Sequence, residues 1–403
     1  MGRNIVESLE VKNFAQINEA KIVFGDLTVL VGPQATGKSL ILQWLKMAMD
    51  SGEVVNALKE AGDDVSTPEN IIDVVFGQGM SGAWDAAKSS IIFNGEKIEP
   101  KKWGKKQRGR QKKEKKGEMF FIPAHRALLL AEGWPAPFQR LTPDTPAVAR
   151  LFSQDLYQRF SGRRVKALFP IEKILKKQYR DLITQAVFHG GKVELHKDGL
   201  RNRLRLSFDQ DGKNKNETSG LPFMTWTSGQ REFTPLLLGL YNLLPSTRKS
   251  KHHDINWVVI EEPEMGLHPQ AISVVMLLVL ELLWRGYRVV VSTHSPVVLD
   301  MLWAIRGIAS TSKDPKLLCE AFDVRKDGPN KEVMEHALTL KYRCYLLKID
   351  KTFRVNSVDI SELDPGSTSK DEAEWGGLTE FSSRFGEAVS AAVNEFEAGR
   401  SKK

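Results

Sequence analysis

A glycine-rich stretch near the start of the chain, GPQATGKS at residues 32–39, has residue types suited to holding phosphate groups. It fits G-x-x-x-x-G-K-[ST], in which glycines let the backbone curl so that its amides point inward at a β-phosphate. The start of the helix expected next adds partial positive charge. We predict that Lys38 reaches the β- and γ-phosphates and that Ser39 ligates Mg²⁺. The predicted nucleotide-binding residues of this stretch are Gly32, Pro33, Gln34, Ala35, Thr36, Gly37, Lys38, Ser39 and Leu40.

Two adjacent glutamates end an apolar run in VVIEEPEMGLHP, residues 258–269. Like charges repel, so a cation, a reaction or exposure to solvent must accompany them. A P-loop site needs an acid at the end of a neighbouring buried strand to hold Mg²⁺. We therefore predict that Glu261 is a metal ligand and Glu262 the general base for an attacking water; the alternative is an exposed acidic loop. Glu264 receives no chemistry and is expected to shape the loop toward Gly266.

Two further stretches carry polar groups that suit phosphate. In WTSGQRE, residues 226–232, Thr227 and Gln230 match a capping box, so backbone amides face outward at a helix start and form a second anion site. The predicted binding residues there are Thr227, Ser228, Gly229 and Gln230. In VVVSTHSP, residues 289–296, His294 follows a buried strand and is predicted to reach a γ-phosphate.

The elements that must position these residues have an α/β pattern. Residues 26–32 form an apolar, β-branched run that leads through the glycine-rich turn into a helix pattern at residues 40–48. A second block has a strand at 257–260, a nearly all-apolar helix at about 269–285 and a strand at 289–291, and we expect that helix to be buried. These patterns predict an α/β fold.

An insertion of helices and a β-hairpin is predicted between the two blocks. Residues 148–160 and 171–183 have amphipathic helix patterns, the second ending at Gly190-Gly191. A hairpin is expected around residues 198–199, followed by a polar loop at 209–220. One hairpin face carries Arg201, Arg203 and Arg205, either as a solvated face or as a contact for backbone phosphates.

The positive charge of the chain is concentrated in one run. Lys101–Lys116 holds ten Lys or Arg and one Glu, a charge of +9; subtracting it from the total of +8 leaves −1 for the rest. Such a run is typical of a solvated or disordered loop and also suits contact with nucleic acid or an acidic partner. Because two β-like runs flank it, it could form the tip of a hairpin.

Composition indicates a soluble, cytoplasmic protein. The chain has 403 residues, of which 41% are hydrophobic and 27% charged. Its two cysteines, Cys319 and Cys344, make no disulfide framework, which favours a reducing compartment. We find no apolar leader at the start and no stretch long enough to span a membrane.

Together these motifs resemble the ATP-binding cassette superfamily. TSGQ at 227–230 is similar to its signature loop, EEPEMGLHP to its Walker B motif with D-loop, and His294 to its switch histidine. The wording of these motifs, with EEPE, LHP and STHSP, most resembles the SMC/Rad50-like and OLD-like ATPases, and LEVKNFAQI at residues 9–17 fits that branch. FFIPAHR resembles a segment of the branch that approaches the nucleotide, which would make Arg126 a nucleotide-binding residue.

The resemblance implies an ABC-type ATPase head with a mixed central sheet, an antiparallel β lobe and an inserted helical lobe, using ATP and Mg²⁺. It divides the chain into an N-terminal ATPase lobe with the basic hairpin loop, an insertion, a C-terminal ATPase lobe with signature, Walker B and switch histidine, and a mixed segment with a terminal helix. The corresponding residue ranges are 1–135, 136–221, 222–310 and 311–403.

It also implies partners. Two copies would form a head-to-tail homodimer, or a higher oligomer, in which the signature residues of one copy meet the γ-phosphate held by the other. We expect an ATPase sensor or scaffold of a bacterial antiphage system, similar to those of PARIS and Septu, that controls a separate effector, a nuclease. DNA or a phage protein could be the trigger, and no membrane is involved.

Two alternatives stay open, and one added activity is not expected. A DNA-repair or chromosome-handling ATPase would use the basic run and the arginine face, and a transporter subunit would need a membrane partner. The last hundred residues lack the glutamate-glycine pattern of an OLD nuclease domain, since Asp350, Asp359 and Asp364 stand without it.

Overall fold

The strands and helices largely follow the apolar pattern of the sequence. The computed structural model describes residues 7–103, 117–130, 132–161, 167–199, 201–208 and 220–400. Its strands are β1 (Ser8–Phe14), β2 (Ile17–Val23), β3 (Leu27–Val31), β4 (Ser90–Phe93), β5 (Glu96–Ile98), β6 (Met119–Ile122), β7 (Ala167–Phe169), β8 (Lys192–Asp198), β9 (Arg201–Ser207), β10 (Leu221–Pro222), β11 (Trp257–Glu261), β12 (Arg288–Thr293), β13 (Tyr342–Ile349) and β14 (Val355–Asp359). Its helices are α1 (Lys38–Glu60), α2 (Pro68–Phe76), α3 (Ala147–Ser161), α4 (Lys177–Ile183), α5 (Ser228–Leu243), α6 (Pro269–Trp284), α7 (Pro296–Ser310), α8 (Pro315–Ala321), α9 (Gly328–Ala337), α10 (Lys370–Ala373) and α11 (Glu380–Arg400).

A ten-stranded mixed sheet crosses the molecule in the order β5-β4-β1-β2-β14-β13-β3-β12-β11-β6. The strands from β13 to β6 are parallel to one another. Beyond them, β14 is antiparallel to β13, and β1 is antiparallel to both β2 and β4. Parallel strands covered on both faces read as continuous apolar runs, as β3 and β11 do. The predicted α/β class with a mixed central sheet is confirmed.

Helices cover both faces of the parallel strands. Val29 and Val31 of β3 point into the apolar core that contains α6, whereas Leu30 points into the core that contains α1. This alternation follows from the two-residue period of a strand. Helix α6 is buried along almost all of its length, as its composition predicted. Burial on both sides holds β3 firmly, and the glycine-rich turn leaves from its end.

The carboxyl ends of β3, β11 and β12 lie side by side at the same end of the sheet, because these strands are parallel. The glycine-rich turn, Glu261 and His294 lie at these strand ends and are therefore near one another. Strand β12 lies between β3 and β11, so the strand of Glu261 does not adjoin the strand of the glycine-rich turn. The sequence expectation that β3 and β11 are neighbouring strands is wrong, although their carboxyl ends still bring the residues together.

The insertion is built around a second sheet, with order β10-β9-β8-β7 and antiparallel pairs throughout. The predicted hairpin is present, since Asp198 pairs with Arg201. Helix α3 agrees with prediction, but α4 begins at Lys177 rather than near residue 171. Lys176 has an extended backbone, and its ammonium group donates a hydrogen bond of 2.6 Å to Glu281 of α6. A tertiary contact therefore accompanies the later start of the helix.

The segment after residue 310 completes the central sheet. Strand β13 pairs with β3, and β14 pairs with both β13 and β2. The sequence reading of this segment as mixed missed both strands. Gly32 lies against β13 so closely that a Cβ atom there would be 2.7 Å from the carbonyl oxygen of Leu347. The late strand therefore supports the glycine-rich turn directly.

The strands that flank the basic run do not form a hairpin with each other. Strand β5 pairs with β4 at one edge of the ten-stranded sheet, and β6 lies at the opposite edge. The hairpin interpretation of the basic run is therefore wrong. Most of that run, residues 104–116, lies outside the described residues, as do residues 209–219 of the polar loop. Among the helices described, none has the length and apolar character needed to cross a membrane.

Candidate nucleotide-binding site

The turn after β3 has a backbone that only certain residues adopt easily. Gly32 and Gly37 have φ angles of 148° and 85°, and Ala35 also has a positive φ of 60°. Glycine tolerates such angles without strain. The Lys38 ammonium group donates hydrogen bonds to the carbonyl oxygens of Gly32 and Pro33, at 2.9 and 3.0 Å. Residue 38 also begins α1, so the helix N-terminus points its amides into the curl of the turn.

Burial tunes the charge of Lys38. Its side chain is buried, and removal from water lowers the pKa of its ammonium group to about 8, although Glu262, Glu264 and Glu261 oppose the change. All three acids come from the end of β11 and the turn after it. The cation of the turn and the acids of β11 therefore share one electrostatic environment, as predicted from their order in the sequence.

Glu261 has the surroundings of a metal ligand. It is buried, and its Oε2 accepts a hydrogen bond of 3.0 Å from the Ala124 amide, whereas Oε1 is buried without a hydrogen-bond partner. Burial raises the pKa of this carboxyl group, while the Ala124 amide and the Ser39 side chain lower it. A buried, unpartnered carboxylate oxygen beside a serine hydroxyl suits Mg²⁺, which prefers oxygen ligands. The residues present therefore fit the metal.

Glu262 faces the cleft beside His294. Its Oε1 lies 3.5 Å from His294 Nε2, and its backbone has a positive φ of 42°. Positive φ is uncommon outside glycine and costs free energy, so it is often found at functional sites. A hydrogen bond of 2.9 Å from the Glu262 amide to the Ser292 carbonyl fixes this conformation.

A cleft of about 250 Å³ joins these groups. It contains seven of the nine residues predicted for the glycine-rich stretch, together with Glu262, His294 and one residue that was not predicted, Gln16. The lining residues are Gln16, Gln34, Ala35, Thr36, Gly37, Lys38, Ser39, Leu40, Glu262 and His294. Gln16 donates a hydrogen bond of 2.8 Å to the Ala35 carbonyl. No sequence signal pointed to it, because its place depends on the β1–β2 turn.

Glu264 has a role that the sequence analysis left unassigned. Its Oε1 accepts hydrogen bonds from the Thr293 hydroxyl at 2.7 Å and from the His294 amide at 2.6 Å. The third acid of EEPE thus ties the turn after β11 to the end of β12. The sequence signal was the acid itself, but its partners could be found only in the fold.

Arg126 lies beneath the acids rather than in the cleft. Its guanidinium group is wholly buried and donates to the carbonyl oxygens of Glu261 at 2.7 Å and Glu262 at 3.2 Å. It also donates to the carbonyl oxygen of Glu232, in α5, at 3.3 Å. Arg126 is not among the cleft-lining residues, so its predicted contact with phosphate stays a prediction. What the structure gives it is a connection between α5 and the acids.

The predicted second anion site is at the start of α5. The capping box is present, because the Thr227 side chain accepts from the Gln230 amide and the Gln230 side chain accepts from the Thr227 amide. Thr227 and Ser228 are exposed and do not line the cleft. Gly229 lies against the turn after β11: a Cβ atom there would be 2.6 Å from the Gly266 carbonyl oxygen.

Comparison with known proteins identifies the family. Residues 98–300, half of the chain, match the family described as "AAA domain, putative AbiEii toxin, Type IV TA system". The chain belongs to this AAA-domain family. Residues 5–118, which include the glycine-rich turn, match the family described as "AAA ATPase domain". These two matches make the chain an ATPase-type P-loop protein. No curated protein matches the sequence.

Solved structures similar to this AAA-domain chain include an SMC head bound to the C-terminal winged-helix domain of ScpA, with 12% identity and a TM-score of 0.40, covering 88% of this chain and 97% of that one. The SMC head domain from Thermotoga maritima has 12% identity and a TM-score of 0.33, covering 88% and 98%. A dimeric bacterial ABC transporter cassette has 12% identity and a TM-score of 0.29, covering 72% and 89%.

The arginine face of this AAA-domain chain is partly neutralised. Arg201 and Arg203 each approach Glu132 at 3.3 Å, and Arg205 donates to the Gly220 carbonyl oxygen at 2.9 Å. Glu132 offsets part of the charge of Arg201 and Arg203, whereas the hydrogen bond to a carbonyl oxygen leaves the charge of Arg205 unchanged. The predicted contact of this face with phosphates therefore stays a prediction.

Proposed function

We propose that this protein binds ATP and hydrolyses it to ADP and phosphate in the cleft at the carboxyl ends of its parallel strands. The observation that carries the proposal is the buried carboxylate of Glu261, which interacts with the Ser39 side chain and with Lys38, and whose Oε1 has no hydrogen-bond partner among the described residues. A P-loop, a buried acid for a metal and a second acid facing the cleft are the parts that phosphoryl transfer to water requires.

Each residue has a distinct task in this proposal. The amides of the glycine-rich turn and the Lys38 ammonium group bind the phosphates, and Ser39 and Glu261 hold the metal. Bound Mg²⁺ would neutralise charge on the phosphate oxygens. Glu262 accepts a proton from the attacking water, since its carboxylate faces the cleft. His294, 3.5 Å from Glu262, donates toward the γ-phosphate.

The test is turnover of ATP by purified protein with Mg²⁺. Lys38→Ala removes the charge that holds the phosphates, so we expect loss of nucleotide binding. Glu262→Gln keeps the shape of the side chain without its basicity, so ATP should bind but turn over at least about 100-fold more slowly. Glu335→Gln, at an exposed position of α9, is the matched control and should leave turnover unchanged. Normal turnover by Glu262→Gln would exclude the role given to Glu262.

We further propose a head-to-tail homodimer in which Thr227 and Ser228 of one copy meet the nucleotide held by Lys38 of the other. The support is their exposure at a helix N-terminus, outside the cleft of their own chain. A mixing experiment tests this. Lys38→Ala protein and Ser228→Arg protein should each be inactive, and their mixture should recover activity because mixed dimers contain one intact site. A mixture as inactive as its components argues against shared sites.

For the cellular role, we propose an ATP-driven sensor or scaffold of a bacterial antiphage system that controls a separate effector nuclease. The support is the motif sequences EEPE, LHP and STHSP, and a family description that names a putative AbiEii toxin. Cells carrying the native gene neighbourhood should resist phage, and Lys38→Ala should remove that resistance. Affinity purification should recover a nuclease. Hydrolysis that DNA stimulates in a salt-sensitive manner would favour a DNA-handling ATPase instead.

A further inference from the structure

Helix α11 carries a row of large apolar side chains that are exposed to solvent. The exposed fractions are 65% for Phe381, 60% for Phe385, 63% for Val389, 48% for Val393 and 63% for Phe396. From residue 381 to residue 397 every residue of the helix is exposed. We call these five side chains the α11 stripe.

The α11 stripe occupies one side of the helix. At about 100° per residue its members fall within an arc of about 120°, and Ala392 falls within the same arc. Phe381 and Phe385 already contact each other, with ring centroids 4.7 Å apart. A helix gains most of its stability in water by packing such a face against another surface. A contiguous exposed apolar row therefore indicates an interaction site.

The charges of α11 distinguish between kinds of partner. Helix α11 contains four glutamates and two arginines, whereas helices that lie on lipid surfaces are rich in Lys and Arg on their polar face. Glu380 and Glu387 lie on the side away from the stripe. Arg384 and Glu395 flank the same edge of the stripe, toward opposite ends of the helix.

This arrangement is self-complementary. When two identical helices pair antiparallel about a two-fold axis, the same edge of each helix meets its counterpart, so Arg384 of one copy comes opposite Glu395 of the other, twice. In a parallel pair this edge would meet the opposite edge of the partner helix, so Arg384 and Glu395 of the two copies would not come together. Charge therefore favours the antiparallel pair.

We propose that α11 is a homodimerisation helix that pairs antiparallel with α11 of a second copy of this chain. In this pair Val389 lies near the two-fold axis, Phe385 lies across from the second Val393, and Phe381 across from the second Phe396. The contact requires no nucleotide and is separate from the head-to-tail contact of Thr227 and Ser228. It holds or fails independently of the proposed ATPase activity.

Cysteine cross-linking of the full chain without nucleotide tests the geometry. The two native cysteines are buried, so introduced thiols can be followed separately. Val389→Cys should form an inter-chain disulfide readily, because position 389 meets itself at the axis. Ser383→Cys, on the opposite side of the helix, should not. Phe381→Cys should not either, since the two copies of that position would be about 24 Å apart along the helices. Cross-linking through Phe381→Cys would overturn the antiparallel pair.

Mass measurement by light scattering tests the association and its charges. The nucleotide-free chain should be a dimer at micromolar concentration, Val389→Glu should be a monomer, and Ser383→Glu, with the same added charge, should remain a dimer. Arg384→Glu should weaken the dimer at least about tenfold, and adding Glu395→Arg should restore it. A nucleotide-free chain that is monomeric at every concentration, or an α11 that binds lipid vesicles instead of itself, would overturn the proposal. Lys38→Ala should still dimerise.

Discussion

Single residues in the cleft act through charge that the fold has adjusted, and Lys38 is the measurable case. Burial lowers the pKa of its ammonium group to about 8, so the nucleotide-free protein loses this charge as pH rises through that value. Bound phosphate favours the protonated form. We therefore expect nucleotide affinity to be highest below pH 8 and to fall above it, by up to about tenfold per pH unit. Equilibrium titration with a fluorescent nucleotide from pH 6.5 to 9.5 measures this; a flat profile would contradict it.

Arg126 gives a second prediction at the scale of one residue. Because its guanidinium group binds the carbonyl oxygens of Glu261 and Glu262, it should position the acids without touching phosphate. Arg126→Lys keeps the positive charge but loses the planar guanidinium group, whose two NH2 groups donate to the two carbonyl oxygens. We expect turnover to fall about 10- to 100-fold with nucleotide affinity changed less than about threefold. An equal loss of affinity would instead support the direct phosphate contact that the family resemblance implies.

At the scale of elements, the insertion is tied to the ATPase core by a buried charge network on α6. Glu281 binds Arg285 at 2.8 Å, Lys176 at 2.6 Å and the Tyr179 hydroxyl at 3.0 Å. Glu281→Gln leaves the buried Arg285 and the half-buried Lys176 without their anion, so it should lower the free energy of unfolding by about 3 kcal/mol. Chemical denaturation measures this value. The control Glu335→Gln breaks an exposed pair with Lys331 and should cost less than about 0.5 kcal/mol.

At the scale of the whole molecule, the two proposed contacts predict two kinds of assembly. The α11 contact is independent of ATP, whereas the head-to-tail contact requires it. Glu262→Gln protein with ATP should therefore form assemblies larger than dimers, because each chain uses both contacts. Adding Val389→Glu should reduce these assemblies to ATP-dependent dimers, and removing ATP should then leave monomers. Sedimentation velocity separates these states. Assemblies of unchanged size after Val389→Glu would show that α11 contributes no contact.

The sequence by itself determined the parts whose signals are local. GPQATGKS, the apolar strands β3 and β11, the buried helix α6 and the capping box at Thr227 were all predicted, because each depends on residues close together in the chain. The pairing of Glu261 and Glu262 with Lys38 was predicted from their order and agrees with their shared electrostatic environment.

Only the tertiary structure decided the contacts between distant segments. Strand β13 pairs with β3, β5 and β6 lie at opposite edges of the ten-stranded sheet, and Glu264 accepts a hydrogen bond from the His294 amide. Each of these placements depends on residues far apart in sequence. Arg126 went beneath the acids because its donors meet carbonyl oxygens from β11 and α5. Local pattern carries no information about such pairings, since strand order and side-chain partners are set by which surfaces can be buried together.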